Sequence, residues 1–386
     1  MRRLSPGLWL SCGLLLAVAA ASGLVLYRLH LRQPDGKFGV GVVAIQIDTR
    51  PVSGEPLRLE TPRPLPSVSL WYPIPAHSSA PQSHRGSWLT RLHARISGRA
   101  LSEAPIAPSP GKFPVLVYFT GWDGTGFDNR HLIEELVSQG FIVAGVDYPD
   151  EGTLAMLRQP MDWSSPAAAA TALRRADERV RTRAADARSV LDRLAVLNVR
   201  DPAGRFTGRL DLQRVGIFGF SLGGAVAAEA CWLDSRFKAA LNMDGWLFSD
   251  VAVQGIAQPY LLATGDYSTP PAASLGSSDP WVRLQAQYTV VDEARSAVNF
   301  RRHGGYLLLI PGAAHDDFSD AAWALLRIPT LPDGSRPAPP HTAALVAIYA
   351  RAFFRKTLAG ENSGVFDGSS TQRPGVQLRR WPVPHP

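Results

Sequence analysis

Apolar runs of six to eight residues alternate with stretches of helical spacing along most of the chain. Each run is rich in Val, Leu, Ile or Phe, as in strands that are buried on both faces. The six runs are PVLVYF (114–119), FIVAGVD (141–147), RVGIFGF (214–220), FKAALNMD (237–244), PYLLATG (259–265) and GYLLLI (305–310). The helical stretches cover 130–139, 165–198, 222–232, about 281–299 and about 342–357. This alternation predicts an α/β fold with a mostly parallel central sheet, helices on both faces, and ligand sites at the carboxyl ends of the strands.

The segments that flank this alternation divide the chain. FGVGVVAIQID (38–48) and SVSLWY (67–72) predict two further strands ahead of the core. The last residues are rich in Gly, Pro and Ser, which is typical of a poorly ordered tail. We therefore expect an N-terminal segment and linker over 1–37, one α/β domain over 38–359 and a flexible tail over 360–386.

The N-terminal segment has the features of a membrane anchor. An uncharged apolar run of 21 residues extends from Gly7 to Tyr27, with Arg2 and Arg3 before it and Arg28 after it. About 20 apolar residues are needed to span a bilayer as a helix. A cleaved signal peptide and a buried helix are the alternatives. We expect an uncleaved anchor with the folded domain outside the cytoplasm, or a secreted or periplasmic chain if the segment is cleaved.

The bulk composition restricts the possible partners. Of the 386 residues, 45% are hydrophobic and 19% are charged, as in globular proteins with a buried core. The net charge of +7 suits a domain held near an anionic membrane surface. No dense Lys/Arg run interleaved with aromatics predicts nucleic-acid binding, and Cys12 and Cys231 form no metal-binding motif with other residues. The composition sets no oligomeric state.

The strongest chemical signal is the sequence GFSLGG (219–224). It directly follows the apolar run VGIF and directly precedes the helix-forming run AVAAEA. This is the strand–turn–helix setting in which a G-x-S-x-G motif presents a nucleophilic serine above a sheet. The glycines are needed because side chains at 219 or 223 would collide with the neighbouring strand and helix. Ser221 is therefore the predicted nucleophile.

A serine hydroxyl needs a base, and in this type of site the histidine follows the serine and the acid along the chain. The histidines after Ser221 are His303, His315, His341 and His385. His315 comes just after the last predicted strand and the small-residue loop PGAA, so it is the predicted base. His303 precedes that strand, His341 begins the last helix, and His385 belongs to the tail.

Two aspartates are candidates for the acid that orients the imidazole. Asp244 ends the run FKAALNMD, and Asp266 follows YLLATG. Both stand at the carboxyl ends of predicted strands, so their placement alone does not separate them.

Backbone N–H groups are the expected donors to the oxyanion. Leu222 follows the nucleophile at the start of a helix, where its N–H points outward. The second donor is expected from the loop after PVLVYF, at Trp122, because Gly121 allows the backbone to approach the substrate closely.

Several segments resemble the platelet-activating-factor acetylhydrolase family, the plasma and intracellular type II group of α/β-hydrolases. The resemblance covers most of residues 38–357. The segments are SVSLWYP (67–73), FPVLVYFTGW (113–122), GFIVAGVDYPD (140–150), GRLDLQRVGIFGFSLGG (208–224), ALNMDGWLF (240–248) and GAAHDDF (312–318).

This resemblance has consequences for the site. The run Met243-Asp244-Gly245-Trp246 looks like the acid-bearing segment of the family and favours Asp244 over Asp266. The chain departs from the family at two positions: it has Thr120 where the family usually has His, and Phe220 where His commonly precedes the nucleophile. Both departures lie in the substrate pocket.

The resemblance implies a serine hydrolase that cleaves short acyl esters, including sn-2 acetyl or oxidised acyl groups of phospholipids, without a metal or organic cofactor. One alternative is a cutinase-like polyester hydrolase that uses Asp266. Another is a non-catalytic, membrane-anchored binding module on the hydrolase fold. Region 150–170 predicts either an apolar cap over the site or an ordinary packed loop and helix start.

Overall fold

The computed structural model describes residues 34–46, 66–76, 78, 100–122, 129–148, 161–265, 270–320, 339–367 and 375–383. Within them, ten strands form one sheet in the order β10-β9-β8-β7-β6-β4-β5-β2-β1-β3. The strands are β1 Phe38–Ile45, β2 Ser67–Pro75, β3 Leu101–Ser102, β4 Phe113–Phe119, β5 Ile142–Asp147, β6 Leu210–Phe220, β7 Phe237–Met243, β8 Tyr260–Gly265, β9 Gly305–Ile310 and β10 Gln377–Trp381.

The middle of the sheet is parallel. Strands β5, β4, β6, β7, β8 and β9 pair in parallel, while β2 joins β5, β1 joins β2 and β10 joins β9 in antiparallel pairs. The six parallel strands are the six apolar runs found in the sequence, and every residue of β8 is buried. A mostly parallel sheet is confirmed, in agreement with the predicted α/β-hydrolase fold.

Helices cover both faces of this sheet. The described helices are α1 Arg130–Ser138, α2 Pro166–Val199, α3 Leu222–Leu233, α4 Val251–Gln254, α5 Ala272–Leu275, α6 Pro280–His303 and α7 Pro339–Ala359, with a 3-10 turn at His315–Phe318. Helices α2 and α3 enclose one hydrophobic core, and α1 and α7 enclose the other. The five longest helices begin and end within a few residues of the predicted limits.

Residues 1–33, on which the prediction of a membrane anchor depends, lie outside the described part of the chain. Among the residues that are described, no helix has the length and apolar character needed to cross a bilayer.

The prediction of a flexible tail over 360–386 is wrong for Gln377–Trp381. These residues form β10, which pairs with β9 in register from Gln377↔Leu309 to Trp381↔Gly305. The Trp381 ring stacks on Phe300 of α6, with centroids 4.5 Å apart and an interplanar angle of 11°. The charged residues of this strand suit an edge position, where one side of the strand faces solvent.

Candidate active site

Ser221, Asp244 and His315 lie at the same edge of the sheet. Ser221 directly follows β6, Asp244 directly follows β7, and His315 follows β9 after a short loop. The carboxyl ends of parallel strands meet at one edge, so residues far apart in sequence come together there.

Ser221 occupies a sharp turn between β6 and α3. Its backbone has φ 55° and ψ −121°, a conformation that costs free energy in a residue with a side chain. The turn requires glycines on both sides. A Cβ at Gly219 would overlap the backbone of Gly223, and a Cβ at Gly223 would overlap the carbonyl oxygen of Phe119. The predicted nucleophile turn is thus present, with the serine hydroxyl projecting from it.

A continuous chain of hydrogen bonds joins the three side chains. His315 Nε2 lies 3.0 Å from Ser221 Oγ, and His315 Nδ1 lies 2.6 Å from Asp244 Oδ2. An ionised carboxylate only accepts hydrogen bonds, so Nδ1 carries the proton that is donated to Asp244. Nε2 is then the acceptor for the serine hydroxyl, which is the arrangement of a general base.

The other carboxylate oxygen of Asp244 is also held. Thr264 Oγ1 donates to Asp244 Oδ1 at 2.5 Å, and the Gly265 N–H lies 3.4 Å from the same oxygen. The sequence analysis did not identify Thr264. Its signal was a hydroxyl residue near the end of the otherwise apolar strand PYLLATG, beside the strand that carries the acid.

The backbone places the nucleophile and the acid relative to each other. The Ser221 N–H donates to the Met243 carbonyl at 2.8 Å, and the Asp244 N–H donates to the Ala263 carbonyl at 2.8 Å. Asp244 also has a positive φ, of 53°. The hydrogen-bond ladder of the sheet therefore extends through both positions, just where each chain turns away from its strand.

Asp244 and His315 stabilise each other's charged forms. Burial raises the pKa of Asp244, but the hydrogen bond with His315 and the charge of that ring outweigh it, so the pKa lies below its ordinary value. Burial lowers the pKa of His315, but the hydrogen bond and charge of Asp244, aided by Asp316, raise it above its ordinary value of 6.5. The imidazole is therefore a stronger base than a free histidine.

The imidazole has one open side and one packed side. Its side chain is 45% exposed, whereas that of Asp244 is 10% exposed. Phe220 packs against the ring, with centroids 4.8 Å apart. The Phe220 position, where the sequence departs from the resembled family, thus lies directly beside the base.

The predicted oxyanion donors flank Ser221. Leu222 is the first residue of α3, so its N–H is among those that have no partner within the helix. A Cβ added to Gly121 would lie 3.5 Å from Ser221 Cβ, which places the loop of Gly121 and Trp122 next to the nucleophile. The structure thus places Gly121, which precedes Trp122 in the chain, close to Ser221.

The alternative acid, Asp266, lies outside the described residues. Asp244 Oδ2 lies 2.6 Å from His315 Nδ1, so the structure places this candidate acid against the imidazole.

Aromatic side chains cluster around the segment that follows Asp244. Trp246 packs against Tyr288 of α6 and Trp163, with ring centroids 4.9 and 5.8 Å apart. Trp163 belongs to region 150–170, for which the sequence predicts either a cap or a packed loop. Residues 149–160 lie outside the description, but Trp163 itself is buried in contact with the acid-bearing segment.

The chain is similar to known proteins in fold and in sequence. A ferulic acid esterase from Streptomyces cinnamoneus has a similar fold, with a TM-score of 0.60 and 24% identity over 90% of this chain and 98% of that chain. A platelet-activating factor acetylhydrolase from Cavia porcellus is 23% identical over 273 residues. That match covers 64% of this chain and 57% of the relative, so the chain spans little more than half the length of this relative.

The sequence profile of the family described as platelet-activating factor acetylhydrolase, isoform II, matches residues 30–328. The matched region is more than half of the chain and contains Ser221, Asp244 and His315. The chain belongs to the family of platelet-activating factor acetylhydrolase, isoform II.

Proposed function

We propose that the protein is a serine hydrolase that cleaves short acyl esters. The observation that carries the proposal is the hydrogen-bond chain from Ser221 Oγ through His315 to Asp244. An isolated serine hydroxyl is a poor nucleophile, and an adjacent base of raised pKa removes its proton as it attacks.

The first half of the reaction forms an acyl-enzyme. Ser221 Oγ attacks the ester carbonyl carbon while its proton moves to His315 Nε2, and the carbonyl oxygen becomes an oxyanion. The N–H groups of Leu222 and Trp122 stabilise this oxyanion. The bond to the alcohol oxygen then breaks, and the alcohol leaves with the proton from His315. Asp244 stabilises the charged imidazole throughout.

The second half regenerates the enzyme. A water molecule gives a proton to His315 Nε2 and attacks the acyl carbon, forming a second oxyanion in the same place. The bond to Ser221 Oγ breaks, the serine takes the proton back from His315, and the carboxylic acid leaves. No step requires a metal or an organic cofactor.

The family supports a substrate class of short acyl esters, including the sn-2 acetyl or oxidised acyl group of a phospholipid. At two positions near Ser221 this chain has a residue other than the histidine that is common in the family. Phe220 puts an apolar ring against the base in place of the histidine common in the family. Thr120, in place of a second histidine, is buried, and its hydroxyl donates to the Gly121 carbonyl at 3.2 Å.

The test is a set of three variants assayed with p-nitrophenyl esters of increasing chain length and with an sn-2 acetyl phospholipid. Ser221→Ala should lower kcat by roughly 10⁴-fold or more, because no other hydroxyl takes its place. Asp244→Asn should lower kcat by about 10³- to 10⁴-fold, because the amide favours the wrong imidazole tautomer. Asp266→Asn is the matched control and should stay within about threefold of the wild type.

The outcomes separate the competing functions. Full activity of Ser221→Ala would end the proposal, and a large loss in Asp266→Asn with an active Asp244→Asn would favour the cutinase-like alternative. A fluorophosphonate probe that fails to label the wild-type protein would favour a non-catalytic binding module. Fastest turnover of acetyl and other short esters is the expected substrate profile.

A further inference from the structure

Arg183 interrupts the buried face of α2. The other residues of this face are small or aliphatic at helical spacing, including Ala176, Val180, Ala187 and Val190. Arg183 takes the position between Val180 and Ala187, and only 2% of it is exposed. Burial of a guanidinium is unfavourable unless hydrogen bonds compensate for its lost hydration, so its contacts indicate what it does.

The guanidinium reaches the loop beside the nucleophile. Arg183 Nη1 donates to the Gly121 carbonyl oxygen at 3.1 Å, and Nη2 lies 3.5 Å from the Trp122 carbonyl oxygen. The ring of Tyr148 lies against the other side, 4.4 Å from the guanidinium carbon. The Tyr148 hydroxyl in turn donates to Asp186 of α2 at 2.8 Å, which fixes the ring.

The Gly121 carbonyl and the Trp122 N–H belong to the same peptide group. A trans peptide is planar, so its N–H points in the direction opposite to its C=O. A guanidinium that holds the carbonyl on the core side therefore directs the N–H away from the core. The positively charged guanidinium beside the carbonyl oxygen also polarises the peptide and makes its N–H a stronger donor.

We propose that Arg183 is a positioning residue that orients and polarises the Gly121–Trp122 peptide, so that the Trp122 N–H stabilises the oxyanion of the reaction. The inference rests on the proposed function, since it assigns a role in the same reaction. Arg183 donates to the Gly121 carbonyl, so we expect it to act on the reaction through this peptide.

The experiment compares Arg183→Met with the wild type in ester hydrolysis and in binding of a trifluoromethyl ketone, which forms a tetrahedral oxyanion adduct with a reactive serine. Methionine keeps much of the side-chain length and removes the donors. We expect kcat to fall by about 10- to 100-fold with KM changed by less than about threefold, because the lost interaction acts on the transition state. Affinity for the ketone should fall by the same factor as kcat/KM.

Arg179→Met is the matched control. Arg179 lies one turn earlier on α2, with its guanidinium 4.3 Å from the centre of the Trp122 ring, so it contacts the side chain of the same residue. We expect its kcat and ketone affinity to stay within about threefold of the wild type. Arg183→Lys, which retains a charged donor, should recover part of the activity that Arg183→Met loses.

Several results would overturn the inference. A folded Arg183→Met protein with wild-type kcat would do so, as would a fall in kcat without a matching loss of ketone affinity. If Arg183→Met does not fold, Arg183→Leu, which also removes every donor, carries the same comparison with the same deciding outcomes. If the wild type and Ser221→Ala differ as expected while Arg183→Met behaves as wild type, only this inference fails; if Ser221→Ala stays active, the proposed function fails with it.

Discussion

At the scale of single residues, the sequence identifies much of the candidate site but not its supporting contacts. The motif around Ser221 and the loop that carries His315 have recognisable settings, between a strand and a helix or after a last strand. Asp244 and Asp266 have equivalent settings, so the choice between them depended on family resemblance. Thr264 and Arg183 have no motif, because their roles depend on which strands and helices become neighbours in space.

In the proposed mechanism, the protonation of His315 sets the loss of activity toward acidic pH. The base must be neutral to accept the serine proton, and Asp244 raises its pKa above 6.5. We therefore expect log kcat/KM to decrease by one for each pH unit once the pH falls below the pKa of His315, which lies above 6.5. The pH profile of kcat/KM measures this decrease, the acidic limb. In Asp244→Asn the acidic limb should move to lower pH, because the carboxylate that stabilises the charged imidazole is removed.

A buried carboxylate, Asp292, provides the control. Burial raises the pKa of Asp292 to about 7, and this carboxylate accepts a hydrogen bond from the Leu247 N–H at 2.6 Å. In Asp292→Asn the acidic limb should remain where it is in the wild type. A limb that disappears in this variant would assign the titration to Asp292 and not to His315.

At the scale of secondary-structure elements, prediction succeeded where the pattern was long or strongly apolar. The 34 residues of α2 and the six parallel strands were located within a few residues. The strand β10 was missed because its five residues, QLRRW, include two arginines and follow a region rich in Gly and Pro. An edge strand has one partner strand and one solvent-facing side, so its sequence need not be strongly apolar and is hard to recognise.

The contact between Trp381 and Phe300 anchors this edge strand to α6. Trp381→Ala removes the ring stacked at 4.5 Å, and we expect it to lower the free energy of unfolding by about 1–3 kcal/mol. Urea unfolding followed by circular dichroism measures the change. Arg380→Ala, an exposed position of the same strand, should change it by less than about 0.5 kcal/mol. Equal stability of Trp381→Ala and the wild type would mean that β10 adds nothing to the fold.

At the scale of the whole molecule, the α/β domain carries every proposed catalytic group, and the N-terminal segment is predicted to anchor this domain to a membrane. The apolar run from Gly7 to Tyr27 has the length of a membrane span. A hydrolase fixed at a bilayer would meet lipid esters at a high local concentration. If the segment anchors the domain, its position would therefore agree with the phospholipid esters proposed above as substrates.

The anchor is tested on the full-length chain expressed in cells. We expect the protein to stay with the membrane fraction after alkaline carbonate extraction and to keep its full mass, since no cleavage is expected. Leu15→Arg combined with Val18→Arg should release it, because each charge at the centre of a span costs about 2.5–3.5 kcal/mol. A full-activity soluble protein shortened by about 2–3 kDa would instead identify a cleaved signal peptide.

The bonds from the Ser221 and Asp244 amides to the strands beside them have a consequence for divergence within the family. These two positions are held from within the sheet, so surface segments elsewhere around the site are not needed to keep them aligned. Those segments can change in length and character while the chemistry is retained. We therefore expect that exchanging such segments between relatives can change the preferred ester while the catalytic residues stay in place.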